Sequence, residues 1–216
     1  MRLSGFIVAA LLLATPAARA AELRVQVVDA KQHPVADAVV TLAALDPAAS
    51  ASAAPPPPRP QTIDQREEAF IPYVAVFRPG DSVVFRNSDV TRHHVYSFSP
   101  AKTFEFVVKP GQSSPALRLD QAGIVAVGCN IHDHMRTWLF VTTAPWVAVS
   151  DAHGQVRFDG LAAGRYRVVT WHPQLRPRQP EVATTATVSA APRVVPVQLT
   201  LLPDPRQPMD HSRMQY

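Results

Sequence analysis

Apolar and polar residues alternate over short stretches along most of this chain. Leu23-Arg24-Val25-Gln26-Val27-Val28-Asp29 reads in-out-in-out, the period of two that marks a half-buried strand. Asp29 to Pro34 is a turn, and Val35 to Leu42 is a second, β-branched strand. Further on, Ala69 to Phe77 has extended character and Pro79-Gly80-Asp81 turns the chain. Strands are predicted over Ser82–Arg86, His94–Phe98, Phe104–Val108, Gly123–Gly128 and Thr137–Thr142. The last third repeats the style, with strands at Gln155–Phe158, Tyr166–Trp171, Thr187-Val188 and Val194–Leu201. Turns fall at Asp151–Gly154 and Leu161–Gly164. Short strands about ten residues apart, without a helical period, predict an all-β fold built as a β-sandwich.

Composition interrupts this rhythm in three places. Residues 47–60 are mostly Ala, Ser and Pro, with four prolines in a row at Pro55 to Pro58. Such a stretch is read as a linker that packs no core. Residues 203–216 form a polar, proline-containing tail, expected to fray. At the other end, Arg2, the apolar run Phe6 to Leu13 and Ala18-Arg19-Ala20 have the layout of a secretory signal peptide over residues 1–20, cleaved after Ala20. The run is short for a membrane anchor, and no later stretch is long and apolar enough to span a bilayer. The mature protein is therefore expected to be soluble and exported, to the periplasm or beyond. Loss of Arg2 and Arg19 lowers the net charge from +4 to +2, too little to argue for nucleic acid.

Candidate chemistry is concentrated at Cys129-Asn130-Ile131-His132-Asp133-His134-Met135, which holds the only cysteine of the 216 residues. An exported chain with one cysteine forms no internal disulfide, so the thiol is a liability, an intermolecular partner, or a thiol protected by burial or by a metal. A thiolate, an imidazole and a thioether in one loop are soft ligands that suit copper better than calcium or magnesium. Zinc competes, because Cys and two His also suit it, although it rarely takes a thioether. One more imidazole would complete a trigonal His₂Cys set with Met135 as weak axial ligand. His93 and His94 are the candidates, and strand alternation lets only one of them face the metal. His134 is read as an exposed loop residue, with an imidazole at the metal's edge that serves docking or pH sensing as the alternative. His33, His153 and His172 are read as facing water, and Met209, His211 and Met214 as part of the tail.

The stretch from about Ile63 to Val141 resembles a cupredoxin of the plastocyanin and amicyanin group. Cys129-x-x-His132-x-x-Met135 is similar to the short amicyanin loop. Phe77-x-Pro79-Gly80-Asp81-x-Val83-x-Phe85-x-Asn87 is similar to the strand before the first ligand histidine. His93-His94-Val95-Tyr96-Ser97-Phe98-Ser99 together with Gly128 to Asp133 resembles exported plastocyanin-like proteins often labelled methylamine utilization proteins. The resemblance implies a Greek-key sandwich over 61–144 and a copper site of His93, Cys129, His132 and Met135, with His94 the alternative to His93. The position after the first ligand is commonly an Asn that ties the two ligand loops together, and here it is His94. Val127 stands where the family often has an aromatic.

The flanks, Val25 to Leu42 and Asp151 to Val168, look like pieces of a carboxypeptidase regulatory-like, transthyretin-type sandwich. That implies a discontinuous second domain over 22–46 and 145–202. The function implied is that of an exported mononuclear type 1 copper protein, not an enzyme by itself, carrying single electrons between periplasmic redox proteins as a monomer. A copper carrier without redox turnover, and a structural module with a vestigial site, are the alternatives.

Overall fold

The structure, a computed structural model, describes residues 21–49, 57–177 and 181–206. The expected signal peptide, most of the proline run, and Met209, His211 and Met214 lie outside these residues. The strands in chain order are β1 (Ala21–Asp29), β2 (Val39–Ala44), β3 (Pro60–Arg66), β4 (Ala69–Ile71), β5 (Val74–Phe77), β6 (Ser82–Asn87), β7 (His93–Ser99) and β8 (Lys102–Val108). There follow β9 (Leu117–Arg118), β10 (Gly123–Cys129), β11 (Arg136–Val141), β12 (Trp146–Val149), β13 (Gln155–Leu161), β14 (Gly164–Trp171), β15 (Val182–Val188) and β16 (Arg193–Leu199). Among the described residues no helix is long and apolar enough to cross a membrane.

Among the described residues four sheets enclose two cores. A sheet ordered β4-β3-β6-β9 and a sheet ordered β5-β11-β10-β7-β8 pack about Ile63, Phe77, Phe85, Val95, Val125, Leu139 and their neighbours. The sheets β13-β1-β16 and β12-β2-β14-β15 close over Leu23, Val25, Leu42, Tyr166, Val168 and Leu199. Alternation explains which side chains enter: Leu23, Val25 and Val27 of β1 are buried while Arg24 between them is exposed. The second core combines both ends of the chain, since β1 pairs with β13 antiparallel and with β16 parallel.

A third apolar cluster forms the seam between the two sandwiches. Val39, Tyr73 and Val74 are buried there, with Val76, Trp138, Phe140, Val147, Val149 and Trp171 against them. The Trp171 ring lies 5.9 Å from Trp138 and 5.3 Å from Phe140. Arg206 closes one side. Its guanidinium carbon stands 3.6 Å over the Tyr73 ring, and it pairs with Asp37 at 3.1 Å and Asp204 at 2.7 Å.

The structure corrects two expectations. Ala49, in the stretch read as packing nothing, is fully buried in the flanking core, and that stretch ends in strand at Pro60. His172 does not face water. It is 2% exposed, its Nδ1 accepts from the Gln174 amide at 3.1 Å, and its Nε2 donates to the Ala36 carbonyl at 3.2 Å. Both ring nitrogens are thus satisfied in the neutral form. Burial pushes the His172 pKa down to about 4, against the opposing pull of the Asp37 charge.

This has a measurable consequence. Between that value and the ordinary 6.5 the unfolded chain binds the extra proton, so stability rises with pH across this window. The gain, complete above the unfolded value, is about 3 kcal/mol and is lost as pH falls towards 4. Urea unfolding at pH 4.5 and pH 7 should show a smaller pH dependence in His172→Gln than in the parent.

Candidate metal centre

Two strand ends and a loop meet at one edge of the sandwich that contains β7 and β10. His93 opens β7, Cys129 closes β10, and His132 lies in the loop to β11. In β10 the inward residues are Val125, Val127 and Cys129, so the thiol continues the phase of the core valines. In β7 the inward residues are His93, Val95 and Ser97, which puts the His93 imidazole under the same edge. Pairing of Cys129 with Val95 and of Gly128 with Tyr96 holds the two strands in register. A Cβ at position 128 would stand 3.2 Å from the Tyr96 ring, so glycine lets that ring lie across β10.

The ligand atoms of His93, Cys129 and His132 all lie within 4.8 Å of one another. Cys129 Sγ is 3.7 Å from His93 Nδ1 and 4.0 Å from His132 Nδ1. The imidazole rings are 5.3 Å apart at 61°. His93 and Cys129 are buried, and His132 is half-buried. The set contains one soft sulfur, two imidazole nitrogens and no carboxylate, a donor chemistry that fits a soft or borderline metal ion. The loop is closed by its own backbone: the Met135 amide donates to the His132 carbonyl at 3.0 Å, and the Cys129 amide to the Met135 carbonyl at 3.2 Å. Met135 itself is 1% exposed and belongs to the same core.

His94 points away from this cluster. Its Nε2 pairs with Glu105 at 2.5 Å. The Asn130 amide donates to the His94 carbonyl at 3.0 Å, and the Asn130 side-chain nitrogen stands 3.5 Å from His94 Nδ1. His94 therefore links the two loops that carry the cluster. His134 is half-exposed in side chain, with its ring 6.0 Å from His132.

The groups that hold the imidazoles from outside escaped sequence reasoning. His93 Nε2 donates to Asp89 Oδ2 at 2.8 Å, so in the neutral ring the unprotonated nitrogen is Nδ1, the one beside the thiol. Burial raises the Asp89 pKa, but hydrogen bonds from His93 and from the Glu68 and Glu67 amides outweigh it, and the carboxyl lies below its ordinary range. The fully buried Asn87 fixes the loop that carries Asp89. Its Nδ2 donates to the carbonyls of Thr91 at 2.8 Å and Val108 at 2.9 Å. Its Oδ1 accepts from the Asp89 amide at 2.9 Å. A carboxylate four residues before His93 was the available signal in the sequence. Glu68 comes from the β3–β4 hairpin, with Oε1 3.6 Å from His132 Nε2 and Oε2 3.8 Å from His134 Nε2. Nothing local in the sequence connects that hairpin to the cysteine loop.

No family model matches this chain, and no curated protein sequence matches it. Solved structures that are similar to it include amicyanin from Paracoccus versutus, at 17% identity and a TM-score of 0.35, with 47% of this chain and 98% of that one covered. A purple cupredoxin from Nitrosopumilus maritimus is 16% identical with a TM-score of 0.34, covering 38% and 98% respectively. A Cu-containing nitrite reductase from Thermus scotoductus SA-01 is 24% identical with a TM-score of 0.34, covering 45% of this chain and 27% of that one. The neighbours are cupredoxins and a copper enzyme.

Proposed function

We propose that the chain binds one copper ion through His93, Cys129 and His132, with Met135 as a weak fourth ligand, and works as an exported single-electron carrier. The observation that carries this reading is the Cys129 sulfur flanked by the Nδ1 atoms of two imidazoles at 3.7 and 4.0 Å. Bound copper would supply one-electron chemistry between Cu(I) and Cu(II). The chain's own part is to keep the donors still. His93 is held by Asp89, the cysteine loop by its backbone bonds, and the two loops by His94 and Asn130. A rigid donor set limits rearrangement between oxidation states, which suits electron transfer. The half-buried His132 stands at the outer side of the cluster and is the exit for an electron to a redox partner, met in a small and transient encounter. We read the chain as a carrier and not an enzyme by itself.

The test is a Cu(II) titration of the chain beginning at Ala21, followed by visible absorption and EPR. One equivalent should produce an intense thiolate-to-copper band. Binding of zinc in preference, or copper binding without that band, would remove the electron-carrier reading.

A further inference from the structure

The β3–β4 hairpin turns in two residues, since Arg66 pairs with Ala69. Both turn residues have left-handed backbone, with φ of +54° at Glu67 and at Glu68. Tight hairpin turns of this hand favour Asn-Gly and similar pairs, because a larger side chain is strained at positive φ. Two glutamates at such a turn are locally unfavourable, and local strain kept in a fold points to a job for the side chain. The turn is pinned from below by Asp89, whose Oδ1 accepts the Glu67 amide at 2.5 Å and whose Oδ2 accepts the Glu68 amide at 3.1 Å. The same Oδ2 accepts from His93 Nε2. One buried-edge carboxylate thus joins the inner imidazole to the turn that carries Glu68 over the outer imidazole.

We infer that Glu68 is a positioning residue for the metal centre, set by this Asp89-pinned turn to place a negative charge at the outer Nε2 of His132. The inference rests on the copper reading above. The geometry orders the protons. His132 Nδ1 faces the thiol, so the ring proton belongs on Nε2, the atom that faces Glu68. A carboxylate at that edge favours this tautomer and makes Nδ1 a better donor. It also stabilises the more positive oxidation state of whatever ion Nδ1 holds, so it lowers the reduction potential. Glu68 is half-exposed, so salt screens the effect. His134 Nε2 stands 3.8 Å from the other carboxylate oxygen.

The experiment uses Glu68→Gln and the double variant Glu67→Asn/Glu68→Gly beside the parent. The double variant removes the charge but suits the turn better, so the metal-free protein should melt at a higher temperature. Loaded with Cu(II), both variants should have a higher reduction potential than the parent at low ionic strength, and the difference should shrink as salt is added. In the metal-free protein, ring ¹⁵N shifts at a pH where His132 is neutral should show less of the Nε2–H tautomer in both variants. Parent-like potentials and tautomer populations in both would overturn the inference. So would a parent-like potential in the double variant alone, since Glu68 would then act only through the turn. A parent that yields no thiolate band refutes the copper reading, and the tautomer measurement still decides the role of Glu68.

Discussion

Cys129→Ser should abolish the thiolate-to-copper band outright, and His93→Ala should do the same, whereas His94→Ala should keep it. The cysteine supplies a sulfur that faces both imidazoles, and a hydroxyl neither ionises nor transfers charge to copper in the visible as a thiolate does. Loss of His93 removes one donor of three and leaves Asp89 without its imidazole partner. Disturbing an outer-shell partner alone weakens metal sites by about ten- to a hundredfold, so loss of an inner donor should exceed that range. His94 faces Glu105 and Asn130 instead. Its replacement should broaden or shift the band by loosening the link between the loops, with copper still bound at one equivalent. Visible and EPR titrations of the three variants decide this. Retention of the band in His93→Ala would sink the site.

The second large effect is on folding. Tyr166 is fully buried in the flanking core, its ring 5.5 Å from Trp146 and nearly perpendicular to it. Its hydroxyl donates to the Ala162 carbonyl at 2.9 Å. Tyr166→Ala should lower stability by about 3–5 kcal/mol, the usual range for deleting a buried aromatic ring. Tyr166→Phe should cost only about 1 kcal/mol, the hydrogen-bond share. Urea unfolding followed by far-UV circular dichroism separates the two. A loss below about 1 kcal/mol in Tyr166→Ala would mean that this core collapses around the gap or contributes little.

The all-β fold was legible because period-two alternation survives in most strands. The inward phase of Val125, Val127 and Cys129 emerges only with β10 running one residue further than expected, to Cys129, whereas alternation did restrict the histidine pair to one inward member. Alternation alone did not say which. That followed from where β7 begins, since a strand opening at His93 buries His93, Val95 and Ser97. Other features resisted for identifiable reasons. β12 was missed, and its four residues are all half-buried, because it lies on the seam where both faces meet protein and no alternation is left. His172 was misplaced because a polar residue at a strand end looks solvated unless the chain that covers it is known. Here the cover is Ala36 and Gln174, of which Ala36 is remote in sequence. Glu68 and Asp89 reach the imidazoles across a hairpin and a loop, and residue spacing carries no record of such tertiary contacts.

The parallel pairing of β1 with β16 places Leu23 opposite Arg193 and Asp29 opposite Leu199. During synthesis the first strand is therefore made early and completed last. Until β16 emerges, one edge of β1 has nothing to bind, and closing so long a loop carries a large entropic cost. The strands that bring His93, Cys129 and His132 together all lie inside that loop and have their own core. They have their pairing partners while the outer sandwich is still unfinished. The order of assembly that follows is the half that carries His93, Cys129 and His132 first and the outer half second, with non-local pairing setting the slow step. Late closure also means that a truncation before β16 would leave that inner half formed and attached to an open, unpaired strand, the kind of edge that invites aggregation.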